Sequence, residues 1–161
     1  SRLNQSIDED IALREMVNQV TGLYGANTKK QKISIGVDID ESICIRTNRT
    51  SLSHILINLI QNAVDAIKED GHISISAHME GRSAVIYVED NGGGISPKHI
   101  EKIYEPFFTT KEIGKGTGLG LYIVYSECAK IGADIDVKSH EGKTVFTLKI
   151  PEFREHGGDL R

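Results

Sequence analysis

Val88-Glu89-Asp90-Asn91-Gly92-Gly93-Gly94-Ile95 places the end of an apolar strand, an acid and three glycines in one line. The strand delivers Asp90, and the backbone then opens into a turn. Its position in the chain decides the fold class. Two strands precede the turn, His72–His78 and Ser83–Glu89, joined by a tight turn at Glu80-Gly81. Ile73, Ile75 and Ala77 alternate with Ser74 and Ser76, as on a half-buried sheet. A doubly wound dinucleotide fold needs regular βαβ crossovers and its glycines straight after the first strand. Neither is present. Irregular alternation of helices with hairpin-linked strands predicts a mixed sheet covered on one face by helices, an α/β sandwich.

Upstream, Leu13, Met16, Val17, Val20, Leu23 and Tyr24 recur at helical spacing, with Gly22 and Gly25 marking the end. A polar stretch, Asn27 to Lys32, follows. Ile33–Ile39 and Ile43–Arg46 read as a strand pair across a turn at Asp40-Glu41. A second helix is predicted from about Thr50 to Lys68, with Asn48 or Thr50 as its cap and Gly71 beyond its end. Leu52, Ile55, Leu56, Leu59, Ala63 and Ile67 form its buried stripe.

Downstream, Ser96-Pro97 opens a short helix to about Tyr104. Residues 105–117 carry no period and read as a mobile loop. A helix from Gly118 to about Ile131 follows, then strands Asp134–Lys138 and Thr144–Ile150. From Pro151 the chain is a polar tail. No repeat and no second domain is visible.

Composition fits one globular domain. The chain has 161 residues, 39% hydrophobic and 26% charged. Its net charge of −4 provides no general basic surface for nucleic acid. No apolar run approaches the roughly 18–20 residues that span a membrane, and no signal peptide is visible. Cys44 and Cys128 have neither metal spacing nor the numbers of a disulfide framework, which fits a reducing cytoplasmic compartment. The 16 glycines are uneven: Gly92, Gly93, Gly94, Gly114, Gly116, Gly118 and Gly120 crowd into 29 positions, 92 to 120.

Four stretches could carry chemistry. His54, Asn58, Asn62, Asp65 and Glu69 fall on one stripe of the second helix. Asparagine is a mediocre helix former, and an amide oxygen suits Mg²⁺ without adding charge beside a polyphosphate. A solvated helix face is the plain alternative. Asp90, as an acceptor-only carboxylate, could take a hydrogen bond from an exocyclic amine such as that of adenine. The glycines beside it allow a flat ring to approach; a plain Asn-Gly turn is the alternative. Gly114-Lys115-Gly116-Thr117-Gly118-Leu119-Gly120-Leu121 opens a helix, and successive N–H groups at a helix start make an anion site. It is not a P-loop, because GxxxxGK[ST] is absent. Tyr104-Glu105-Pro106-Phe107-Phe108-Thr109-Thr110-Lys111 offers an aromatic anchor for one end of a lid, or simple core filling.

In this order the four stretches resemble the catalytic and ATP-binding domain of sensor histidine kinases, a branch of the gyrase, MutL and 90-kDa heat-shock chaperone ATPase superfamily. The resemblance covers about Ile11 to Pro151. It implies the Bergerat ATP-binding fold: an α/β sandwich with a mixed, mostly antiparallel sheet covered on one face by helices, and a flexible ATP lid. Residues 8–151 would form the domain, with 1–7 as the tail of an upstream region or an expression remnant and 152–161 as a polar tail. Asn58 and Asn62 match the asparagine box and would hold Mg²⁺ against the triphosphate. Asp90, Gly92 and Gly94 match the first glycine box, with Ile95 beside them, and Asp90 would read the adenine amino group. Pro106, Phe107 and Phe108 match the phenylalanine box. Gly116, Gly118 and Gly120 match the second glycine box; with Thr117, Leu119 and Leu121 they would meet the phosphates. Thr144, in Gly142-Lys143-Thr144, would help bind adenine through water.

Two departures matter. Many relatives carry a basic residue where this chain has Asp65, so phosphate charge would fall more on Mg²⁺, Lys111 and Lys115. The family's phosphoacceptor histidine, in a His-Glu-x-x-x-Pro context, matches none of the six histidines here. The chain therefore reads as a monomeric fragment whose acceptor lies on a separate helical-hairpin dimerisation domain, upstream of a response regulator. The parent is expected to be cytoplasmic or membrane-anchored. Hydrolytic relatives place a glutamate where this chain has Asn58; an amide cannot take a proton from water, which favours transfer. His54 reads as packing or capping rather than a base. The rival readings are a stand-alone serine kinase of the anti-sigma type and a non-catalytic nucleotide-binding docking module.

Overall fold

The computed structural model describes residues 7–96, 98–106 and 119–151. Its centre is α3 (Arg49–Ala66). The helix starts where the sequence signals it: the Asn48 side chain accepts the Ser51 N–H at 2.9 Å, satisfying one of the orphan donors of the first turn. Leu52, Ile55, Leu56, Leu59, Ile60, Ala63 and Val64 are all buried. At about 1.5–3 kcal/mol for each large apolar side chain, that burial outweighs the poor propensity of its asparagines.

The main sheet has five strands: β2 (Ser34–Asp38), β4 (His72–Glu80), β5 (Ser83–Asp90), β6 (Asp134–His140) and β7 (Lys143–Ile150). Their spatial order is β2-β4-β5-β7-β6. β2 runs parallel to β4 and every other pairing is antiparallel, which is the mixed, mostly antiparallel sheet expected. Glu141 and Gly142, both at positive φ (49° and 78°), turn β6 into β7. Helices cover one face. α1 (Leu13–Gly22) lies over β2, α3 over β5, and α4 (Gly120–Ile131) over β6. The inward side chains of β5 run Ala84, Ile86, Val88; those of β7 run Ile150, Leu148, Phe146, and all are buried. The other face carries side chains such as Ser74, Ser76, Tyr87 and Thr147, with His78 stacked on Tyr87 at 5.6 Å.

Three expectations are corrected. The runs Ile33–Ile39 and Ile43–Arg46 do not pair with each other. β2 joins the main sheet, whereas β3 (Cys44–Asn48) pairs antiparallel with β1 (Asp8–Ala12) in a separate two-stranded sheet. Ile35 and Val37 of β2 fit beside Ile73 and Ile75, and Ile45 of β3 sits opposite Ile11, so each run is claimed by a different apolar surface. The polar stretch Asn27–Lys32 lies mostly within a second helix, α2 (Gly25–Gln31), which buries none of its residues. The segment after Ser96 forms successive turns instead of a helix, with His99 N–H bonded to Ser96, Lys102 to His99 and Glu105 to Lys102. Among its described residues only Ile103 is buried, so no apolar face rewards a continuous helix.

No helix among the described residues is long and apolar enough to cross a membrane.

Candidate functional site

The inner face of the sheet is apolar until its last row. There Asp90 of β5 stands directly opposite Thr144 of β7. Asp90 is 2% exposed and Thr144 3%. A buried acid at a core position costs stability unless something compensates it. Asp90 Oδ1 accepts the Gly92 N–H at 2.9 Å. Burial nevertheless pushes its carboxyl above the ordinary range, with the Gly92 hydrogen bond opposing and neighbouring Glu89 adding to the rise. Such a group gains by meeting a donor from outside.

The turn after Asp90 is tied down on both sides. Gly93 N–H donates to the Gly142 carbonyl at 2.9 Å, and Ile95 N–H donates to Ser139 Oγ at 2.6 Å. The hairpin that carries Thr144 therefore also holds the glycine turn. Gly94 sits at φ +77°, and a Cβ there would lie 2.6 Å from Ser139 Oγ. Gly92 packs against the Ala66 carbonyl at the end of α3. Asp90, Gly92, Gly94, Ile95 and Thr144 thus come together as one corner.

Asn58 lies two turns back along α3, about 12 Å from Ala66 at ~1.5 Å per residue. Its Nδ2 donates to the His54 carbonyl at 2.7 Å. Its Oδ1 faces α4: a Cβ on Gly120 would be 3.2 Å away. Leu119 is the N-cap of α4 and makes no side-chain cap bond, and the early N–H groups of the helix carry the positive end of its dipole. Leu121 packs against the core. Asn62 is half-buried on the same stripe of α3. Asp65 is exposed and accepts Gln61 Nε2 at 2.9 Å. Glu69 falls off the stripe, because α3 ends at Ala66. Phe107, Phe108, Lys111, Lys115, Gly116, Thr117 and Gly118, with the expected lid, lie outside the described residues.

His54 pairs with an acid that sequence reasoning missed. Its Nδ1 is 3.0 Å from Glu127 Oε2, and Ser51 Oγ donates to Glu127 Oε1 at 2.8 Å. Glu127 is buried on α4 with Val124 and Cys128. Burial raises its carboxyl, but the hydrogen bonds of His54 and Ser51 and the charges of Lys130 and His54 outweigh it and hold it below the ordinary value. A lone acid on the apolar side of a helix was the available signal. The neighbouring Cys128 thiol is pushed up to about 12 by burial, with Asp134 and Glu127 adding, so it is no nucleophile.

Among the described residues no cluster of three His, Cys, Asp or Glu side chains could hold a metal alone. A divalent cation here would lean on amide oxygens and on the ligand. That donor set suits Mg²⁺, which keeps most of its shell for phosphates and water.

The structure is an α/β sandwich with a buried acid at one end of α3 and an amide facing a helix start further along it. The chain belongs to the family of histidine kinase-, DNA gyrase B- and HSP90-like ATPases, whose model matches residues 47–154. It is similar to the sensor histidine kinase ZraS of Salmonella typhimurium, 36% identical over 146 residues, covering 89% of this chain and 31% of that protein. The chain thus spans under a third of that relative's length. The nucleotide-free catalytic domain of histidine kinase ThkA superposes with a TM-score of 0.83 at 32% identity, over 91% of this chain and 96% of that one. ThkA in complex with the response regulator TrrA gives a TM-score of 0.76 at 28% identity, over 92% of this chain and 42% of that one. The fold is that of a histidine kinase ATP-binding catalytic domain.

Proposed function

We propose that this chain transfers the γ-phosphoryl group of Mg²⁺-ATP to a histidine on a separate helical-hairpin dimerisation domain of the same kinase, which then serves a response regulator. Residues 8–151 would form the catalytic unit. The observation that carries the reading is the layout along α3: the turn that follows the buried Asp90–Thr144 pair packs on Ala66 at its end, and Asn58, facing Gly120, lies about 12 Å back along the helix axis. An elongated ligand with an amine-bearing ring at one end and anionic groups at the other fits that span.

Each residue then has a task. Asp90 accepts a hydrogen bond from the adenine amino group, and Thr144 supports the ring through water. Gly92 and Gly94 keep the corner open to a flat base. Asn58 and Asn62 would hold Mg²⁺, which supplies charge neutralisation across the triphosphate when bound. The N–H groups at Gly120 and Leu121 receive phosphate oxygens. Phosphoryl transfer needs such positioning and charge stabilisation more than covalent help. A neutral imidazole nitrogen attacks the γ-phosphorus, an N–P bond forms, and the β–γ bridging oxygen leaves on ADP with the electron pair. The amide of Asn58 cannot take a proton from water, so the site favours transfer over hydrolysis.

The test is incubation of the chain with a hairpin acceptor domain and γ-labelled Mg²⁺-ATP. Acid-labile, base-stable label on the hairpin is the expected result. Acid-stable label would point to a serine kinase, and free phosphate without labelled protein to a hydrolase; either overturns the reading.

A further inference from the structure

We propose that Glu127 is a positioning residue for the phosphate end of the site. It sets how α4 sits on α3 and thereby holds Asn58 against Gly120. The inference rests on the nucleotide-site reading above.

The contacts form a closed circuit. On α3, Ser51 Oγ donates to Glu127 Oε1 at 2.8 Å and His54 Nδ1 meets Oε2 at 3.0 Å. On α4, Lys130 Nζ lies 3.5 Å from Oε1. The His54 carbonyl accepts Asn58 Nδ2 at 2.7 Å, which turns Asn58 Oδ1 towards α4. Gly120 lies against that oxygen, and the circuit returns along α4 from Gly120 to Glu127. The two helices therefore run antiparallel, with one polar lock at the Ser51–His54 end and the amide–glycine contact at the other.

Packing alone does not explain a carboxylate in this place. The other buried residues of α4, Val124 and Cys128, are apolar. Apolar contact is non-directional and tolerates small slides and rotations of one helix on another. A buried charge costs desolvation that an aliphatic side chain would avoid, and its best-attested return is a fixed register. Both carboxylate oxygens are engaged from α3, which fixes translation and rotation together. A helix displaced by a fraction of an ångström moves Gly120 off Asn58 but leaves Asp90 and Thr144 on their strands untouched. Glu127 should thus matter to the phosphates and not to the adenine.

The experiment compares the chain with Glu127→Leu, Glu127→Gln and Ser51→Ala by calorimetric titration with Mg²⁺-ATP and, separately, with adenosine. Glu127→Leu should weaken ATP about tenfold, the worth of a lost charge-assisted hydrogen bond, with adenosine affinity unchanged. Glu127→Gln keeps an acceptor for Ser51 and offers an amide donor to the His54 ring, so it should recover most of the loss. Ser51→Ala, a minimal truncation, should show a smaller loss of the same kind, and carries the test should Glu127→Leu not fold. Unchanged ATP affinity in Glu127→Leu, or in Ser51→Ala where it stands in, overturns the proposal. So does an equal loss of ATP and adenosine, the mark of general damage. Failure of the unmodified chain to bind ATP overturns the nucleotide-site reading itself, and this inference with it.

Discussion

A Cβ placed on Gly92 would lie 2.6 Å from the carbonyl oxygen of Ala66. The turn that follows Asp90 is thus docked on the last turn of α3 with no room for a side chain. The obstacle is backbone, which cannot rotate away as the end of a flexible side chain would. Gly92→Ala should therefore lower stability by about 1–3 kcal/mol through forced backbone shifts, and weaken nucleotide binding because Asp90 is two residues away. A thermal melt and an ATP titration check both. Gly93 provides the control: nothing lies within 4 Å of its Cβ position, and its φ of +109° is the only obstacle, so Gly93→Ala should act through backbone strain alone.

Asp90 should trade stability for binding. Its carboxyl is buried and pushed up, so its ionised form weakens the empty domain at neutral pH. Asp90→Asn keeps an oxygen for the Gly92 N–H and removes the charge. The variant should melt at a higher temperature than the parent yet bind ATP roughly 10–100-fold more weakly, the cost of a charge-assisted hydrogen bond. Unchanged affinity in a calorimetric titration would overturn the proposed role of Asp90 in binding adenine.

Much of this was legible because the apolar periods were clean. The α3 stripe repeats at helical spacing, β4 and β7 alternate, and Asn48 caps where a cap was expected. β1 escaped because Asp8–Ala12 buries only Ile11, and α2 escaped because it buries nothing; pattern reading sees only what the core selects. The false pairing of β2 with β3 came from adjacency. Two apolar runs with a short turn between them look like a hairpin, and nothing local reveals that their partners lie at residues 72–76 and 8–12. In the candidate site, Asp90, Asn58 and the glycines stood out by unusual composition. Glu127 did not, because a single acid on the apolar side of a helix is only a weak signal until its neighbours in space are known.

Acid should unlock the α3–α4 contact. The Glu127 carboxyl is held below its ordinary 4.5 in the fold. Its contribution to stability is therefore complete above about pH 4.5 and is lost as pH falls through the lower folded value. Asp90 works in the opposite sense: its folded value is raised, so its penalty fades as pH falls through that value. Melts across pH 3–7 should show a steeper acid loss in Asp90→Asn than in the parent, and a shallower one in Glu127→Gln. The reverse order would contradict both environments.

Gly120→Ala should separate folding from binding at the proposed phosphate end. Gly120 is the first residue of α4, and alanine there gains about 0.5–1 kcal/mol from reduced unfolded-state entropy and better helix propensity. The new methyl would sit 3.2 Å from Asn58 Oδ1, so that side chain must give by a few tenths of an ångström. Asn58 is not free to swing, because its Nδ2 is fixed to the His54 carbonyl at 2.7 Å. The strain falls on the amide oxygen proposed to face the metal and phosphates. Stability should hold or rise slightly while Mg²⁺-ATP affinity drops several-fold and adenosine affinity stays constant. If ATP affinity survives with the melt unchanged, the oxygen of Asn58 does not face the ligand, and the phosphates must be held elsewhere.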